Sequence, residues 1–303
     1  MTKKNRSFIA LDVLLIVLTL LPIVAVLILK VLTNVPSEGI SITGARVFFT
    51  LPLPLGGLPI TESQINSAAV ILSLFFLCLY MTHGIAERPN TRRQLLVEWV
   101  VEKTESMVSD SMGSFFAGYA PFIAAILALS ALSSLMSLFG LYPPTSDINI
   151  VAGWAILVFI LITYYKLKGG LGNYLKGFTE PIFIMTPLNI LGEVATPVSM
   201  AFRHYGNVLS GSVIAVLIAA ALQGLSSLLL GWLPGVFGEI PFLQIGLPAI
   251  LSLYFDLFSG CMQAYIFAML TMLNISGGFP EDEYERRRQK KLLKKQQKTK
   301  TND

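Results

Sequence analysis

The chain alternates long apolar runs with short charged segments, and that alternation predicts its elements. The first run, Phe8 to Leu29, follows the basic MTKKNR and contains Asp12 and Pro22. A Pro- and Gly-rich stretch from Thr33 to Gln64 reads as an exposed, irregular or partly strand-like loop. A second apolar run covers Ile65 to Thr82. The segment His83 to Asp110 differs, because apolar and polar residues recur there at helical spacing: Leu95, Leu96, Trp99 and Val100, then Lys103, Met107 and Val108. That pattern predicts an amphipathic helix lying in a membrane surface. Further runs cover Ala120 to Phe139, Ile150 to Tyr165, Pro181 to Trp232 and Phe242 to Ile275.

A helix rises 1.5 Å per residue, and about 20 residues cross a hydrocarbon core about 30 Å thick. The first four runs each fit one crossing. The fifth is over twice that length. It is either two spans with a buried break near Pro197, or a short re-entrant piece followed by one long oblique helix. Basic residues choose between them. They gather at the N-terminus, after the second run, after the fourth (Lys166, Lys168, Lys176) and in the tail ERRRQKKLLKKQQKTK. Six crossings put all four clusters on one side, which the positive-inside rule makes the cytoplasm. The expected fold is an all-α integral membrane protein of six transmembrane helices plus one amphipathic surface helix, the last two transmembrane helices long and tilted. Both termini are expected to be cytoplasmic.

Composition sharpens this. Of 303 residues, 54% are hydrophobic and 13% charged, whereas soluble domains carry about 25% charged residues. The net charge of +4 implies no nucleic-acid partner, because the basic residues flank spans. Two cysteines, Cys78 and Cys261, make no disulfide framework or metal cluster. The chain lacks the GxxxxGK[ST] phosphate loop, so any nucleotide chemistry belongs to partners, and no cofactor is expected.

The expensive residues are the polar ones inside the last two runs. An arginine in a spanning helix costs about 2.5–17 kcal/mol. Arg203 lies in PVSMAFRHYGNVLSG, followed by His204. At about 100° per residue, Ser199, Arg203, Asn207 and Ser210 form one stripe, with Glu193 on the same half of the helix. In the last run Ser252, Asp256, Ser259 and Gln263 form another. Two such helices facing each other would enclose a wet path. A guanidinium does not deprotonate, so Arg203 serves as a fixed charge beside a passing carboxylate, while Asp256 and Glu193 suit relay. The bland alternative is a static buried pair of Arg203 with Glu193 or Asp256.

PLNILGEVATPVSMAFRHYGNVLSG resembles the signature of the a subunit of F-type ATP synthases, the membrane stator beside the rotating c-ring. Glu193, Pro197, Ser199, Arg203, Gly206 and Asn207 occur in that family's order. QAYIFAMLTMLNIS resembles its final helix, with Gln263 at the start, and the PTSDIN turn is similar too. The resemblance covers Ile65 to Ser276. It implies ion translocation, of proton or sodium, through two half-channels, with Arg203 facing the ring carboxylate. Glu193, Ser199, Asn207, Asp256 and Gln263 are the implied polar helpers. It also implies partners: the c-ring, peripheral stalk b subunits and membrane lipids, in a bacterial plasma membrane. Ser212 and Asp256 stand where other members carry a Glu and a His, so Asp256 is expected to keep the acidic role and Ser212 to lose it. Residues 1–32 form an additional N-terminal helix, 33–64 an extracytoplasmic loop, 65–276 the core and 277–303 a basic tail. A secondary transporter with a site at the interrupted fifth run, or a structural scaffold, are the competing classes.

Overall fold

The computed structural model describes residues 3–33, 44–52, 57–87, 91–179, 182–230, 250–251, 253–282, 284–289 and 292. The expected loop at 233–241, the start of the last run, Ser252 and the end of the basic tail lie outside those residues. Among the described residues, six helical segments are long and apolar enough to cross a membrane: Ile9–Leu32, Glu62–Thr82, Ser114–Phe139, Ile148–Lys168, Phe183–Leu229 and Leu253–Gly277. The chain is therefore an all-α, multi-pass membrane protein.

α1 (Lys3–Leu32) packs against α2 (Glu62–Thr82). Between them, β1 (Val47–Leu51) and β2 (Leu58–Thr61) pair antiparallel, so part of the Pro/Gly-rich stretch is a small hairpin. The Gln64 side chain accepts from the Thr61 N–H at 3.2 Å, satisfying one of the donors that a helix start leaves open. α3 (Arg92–Met112) begins at Thr91, whose hydroxyl accepts from the Gln94 N–H. It ends at Gly113 with φ +81°, a conformation that a side chain disfavours. Leu95, Leu96, Trp99 and Val100 are exposed on α3, while Val108 and Met112 are buried. The helix thus turns one apolar patch outward and anchors its far end in the core.

A 3-10 turn (Ser114–Tyr119) leads into α4 (Ala120–Leu135), and a second (Met136–Phe139) closes that span. After a 3-10 turn at Pro144–Ser146, α5 (Ile148–Lys168) starts on Asp147, which accepts from the Asn149 N–H at 3.0 Å. The basic stretch after α5 contains a short helix that the sequence reading treated as loop, α6 (Leu171–Thr179). α7 (Thr186–Leu230) is one unbroken helix of 45 residues, or roughly 67 Å at 1.5 Å per residue. No interruption occurs at Pro197. Its ring removes one backbone bond, yet the helix continues through it. The last span opens with a π-helical segment, Leu253–Ser259, and continues as α8 (Gly260–Gly277).

The main core joins α3, α4, α5, α7 and α8 through Val108, Ile123, Val158, Met200, Phe267 and Met272. A second cluster joins α1, α2 and the α4–α5 turn through Val26, Val70, Met136 and Leu141. Helices approach closely where glycine allows it. A Cβ on Gly260 would lie 2.8 Å from the Ser134 Cβ, and one on Gly211 would lie 3.3 Å from Phe255. Small residues at such crossings are what brings helices together in lipid.

Candidate functional site at the middle of the long helix

α7 is the least covered span. In its most apolar window 6% of residues are buried, against 44% in Leu253–Gly277. Orientation decides what that exposure means. Ser199, Arg203 and Ser210 are exposed and face out of the chain, while Asn207, also exposed in part, sits at the edge of the stripe that reaches the last helix. The stripe meets that of the last helix at one position, where Asn207 reaches Gln263, and its other members point away from the chain. The inward face instead carries Met200, Ala201, His204 and Gly211, because apolar and small residues pack where a guanidinium would be desolvated.

Among the described residues, the ion pairs are His83–Asp12, Arg93–Asp12 and Lys166–Glu193. Arg203 has no carboxylate partner among them. Glu193 is engaged elsewhere: its Oε2 accepts from the Lys166 Nζ at 2.6 Å, and its Oε1 is buried without a hydrogen-bond partner. The static Arg203–Glu193 or Arg203–Asp256 pair is absent from the described residues.

One link joins the two long helices across the site. The Asn207 amide donates to the Gln263 Oε1 at 3.1 Å, and Gln263 is only 2% exposed. Asp256 is half-buried and lies in the π-helical segment. There the bonds run i→i+5, so the winding is looser than the 100° step assumed for Ser252, Asp256, Ser259 and Gln263. The regular register of that stripe does not carry through the segment. Ser199 and Ser210 stay on the exposed stripe, and the Ser210 hydroxyl donates to its own helix at Gly206 O. Ser212 does the same at Leu209 O, 2.8 Å.

His204 is fully buried. Its ring sits edge-on to Trp154 and Phe267, its Nε2 lies 3.4 Å from the Ser130 hydroxyl, and its Nδ1 has no partner. It turns away from the exposed stripe, into the packing between α4, α5 and α8.

Lys166, which the sequence marks only as one of the basic residues that set topology, is a member of this site. Its partner lies 27 residues on, so no periodicity within one helix reveals it. A lysine in the last turn of one span and a carboxylate early in the next run were the available signal. Beside the pair, Tyr174 sits in α6. Burial, with the Glu193 carboxylate adding to it, holds its phenol above the ordinary tyrosine value.

The family model described as the ATP synthase A chain matches residues 64–276. The chain is 30% identical over 238 residues to the ATP synthase subunit a of Limosilactobacillus reuteri, a match covering 75% of this chain and 96% of that one. It is 28% identical over 228 residues to the ATP synthase subunit a 2 of a Bradyrhizobium strain, covering 75% and 92%. It is 26% identical over 275 residues to a Propionigenium modestum protein named as the sodium-ion-specific ATP synthase subunit a, covering 80% and 88%. An outward-facing arginine halfway along an uncovered spanning helix and a family match over the last five spans lead to one statement: the chain belongs to the ATP synthase A chain family.

Proposed function

We propose that this chain carries protons or sodium ions across a bacterial plasma membrane, through two half-channels at its contact with the rotating c-ring, with Arg203 facing the ring's carboxylate. Flow through that contact couples to ATP synthesis or hydrolysis in partner subunits. The observation that carries the reading is the outward polar stripe with an arginine that no described carboxylate neutralises. Left against lipid, that guanidinium would cost several kcal/mol at least. Against an acidic group on a neighbouring rotor it is stabilised instead. As a permanent cation it favours the ionised carboxylate and expels a bound ion, and it bars direct cation leakage between the two paths.

The helper roles follow. Asn207 and Gln263 hold the two long helices in register beside Arg203. Asp256 is the acidic relay on one path, and Ser199 continues the polar stripe toward the other. Glu193 serves a path on the side of the basic loops, which we place in the cytoplasm with both termini. The surface helix α3 lies where a peripheral stalk of b subunits would meet the membrane. Against the transporter reading stands the continuity of α7 through Pro197.

Disulfide crosslinking in the assembled complex tests the contact. Cysteine at Ser199 or Asn207 is expected to crosslink to cysteines on the outer helix of the ring, while cysteine at buried Ala201 is not. Failure of both stripe positions to crosslink under conditions that join other subunits removes the proposal.

A further inference from the structure

The Lys166–Glu193 pair stands between two cavities. The outer one, about 470 Å³, is lined by Asn173, Tyr174 and Asn189 as well as the pair, and it lies among the basic-loop elements. The inner one, about 200 Å³, is lined by the same pair together with Ile162, Thr196 and Asn274. Both far exceed the roughly 15 Å³ that one water needs by such a measure. The inner cavity ends at Asn274, whose amide lies 3.4 Å from the Met200 Sδ in the next turn of α7.

The partition is built for this contact. A Cβ on Gly278 would lie 3.0 Å from the Lys166 Cε, so the bare backbone there leaves room for the lysine stem. Only one carboxylate oxygen is used by the lysine. The other, Oε1, is buried and makes no close hydrogen bond, with the Tyr174 phenol beside the carboxylate, so it has room to take a proton from water in the cavity.

We propose that Lys166 and Glu193 form a gate that passes protons, and excludes metal cations, between the basic-loop side and the inner cavity. The inference rests on the reading of the chain as an ion-conducting stator and narrows the ion on this path to the proton. A proton from water in the outer cavity bonds to Glu193 Oε1. The carboxyl is then neutral and its hold on the Lys166 ammonium weakens. The O–H bond breaks again when the proton passes to water in the inner cavity, and the ion pair closes. A hydrated metal cation has no such handover and meets the lysine charge in the throat. Lysine suits this role because its ammonium is compact, strongly hydrated and carried on a flexible stem.

The test reads access, not coupling. In assembled complexes in membrane vesicles, Cys78 and Cys261, both exposed, are replaced by serine and Thr196→Cys is introduced in the inner cavity. Silver ion is added on the basic-loop side, and the rate at which it blocks the new thiol is measured as the loss of later labelling by a small maleimide. Slow block is expected with Lys166 present, and block about tenfold faster with Lys166→Gln, the change one unit charge makes beside a partly wet path. Lys166→Arg should stay slow. Lys166→Met, uncharged and of similar length, carries the same comparison if Lys166→Gln fails to assemble. A Thr196→Cys complex inert to silver overturns the path, and equal rates in charged and uncharged variants overturn the gate. Neither readout involves Arg203, so failed crosslinking to the ring with this labelling pattern intact would sink the stator reading alone.

Discussion

Two arginines in this chain meet opposite fates. Arg93, at the start of α3, is enclosed. It donates to Asp12 Oδ1 at 3.1 Å and to the His83 carbonyl, and it stacks over the Tyr80 ring at 4.8 Å. Asp12 also meets the His83 Nδ1 at 3.0 Å. Three elements, α1, α2 and α3, meet at that cluster. Arg203 has none of this among the described residues and faces outward. The first arginine completes its electrostatics inside the chain and so contributes to stability. The second leaves them open among the described residues, and the proposed contact with an acidic neighbour is what would complete them.

The sharpest way to break this contrast is Arg203→Ala. Assembly and thermal stability should hold, while coupled ion flux falls by at least about 100-fold, the scale of removing a charge aimed at a passing charged group. ATP-driven pumping in vesicles measures it, and a coupled variant would put Arg203 in the same class as Arg93. Next comes Asp256→Asn, between the two extremes because this carboxylate is half-buried and engaged. Ion flux through assembled complexes should fall by about 100-fold, the lower end for losing a positioned proton carrier, with unfolding temperature unchanged.

The converse prediction concerns Arg93→Ala. It should leave the flux per assembled complex intact and cost about 1.5–3 kcal/mol, as expected for lost hydrogen bonds between charged groups. Detergent melting curves and the yield of complexes retaining the stalk read that loss. Asp12→Asn should be milder, below about 1.5 kcal/mol, because the amide keeps an acceptor for the Arg93 and His83 donors. If Asp12→Asn abolished pumping in stable complexes, α1 would belong to the conducting machinery, and the division between the arginines would fail.

The spans were legible because lipid imposes a length and a composition on anything that crosses it. Thus Ile148–Lys168 and Glu62–Thr82 lie close to the runs read for them. The stripe Ser199, Arg203, Asn207 and Ser210 was legible too, since helical period depends on local geometry alone. Its direction was not. Which of its members turn toward α8 depends on which face packs better: Met200, Ala201 and Gly211 won the inward side, Asn207 at the edge reaches Gln263, and Arg203 faces out. The π winding around Asp256 was equally hidden, because a loosened turn is set by its neighbours rather than by its own residue types.

By itself, then, the order of residues determined how often this chain crosses a membrane and which few polar groups it carries there, because burying a charge in hydrocarbon is costly wherever the helices happen to pack. Only the folded arrangement decided the pairings. Lys166 found Glu193 across a connection of many residues, Asp12 found Arg93 across two helices, and Arg203 was left facing outward. Such choices belong to distances between helices, which no local pattern contains.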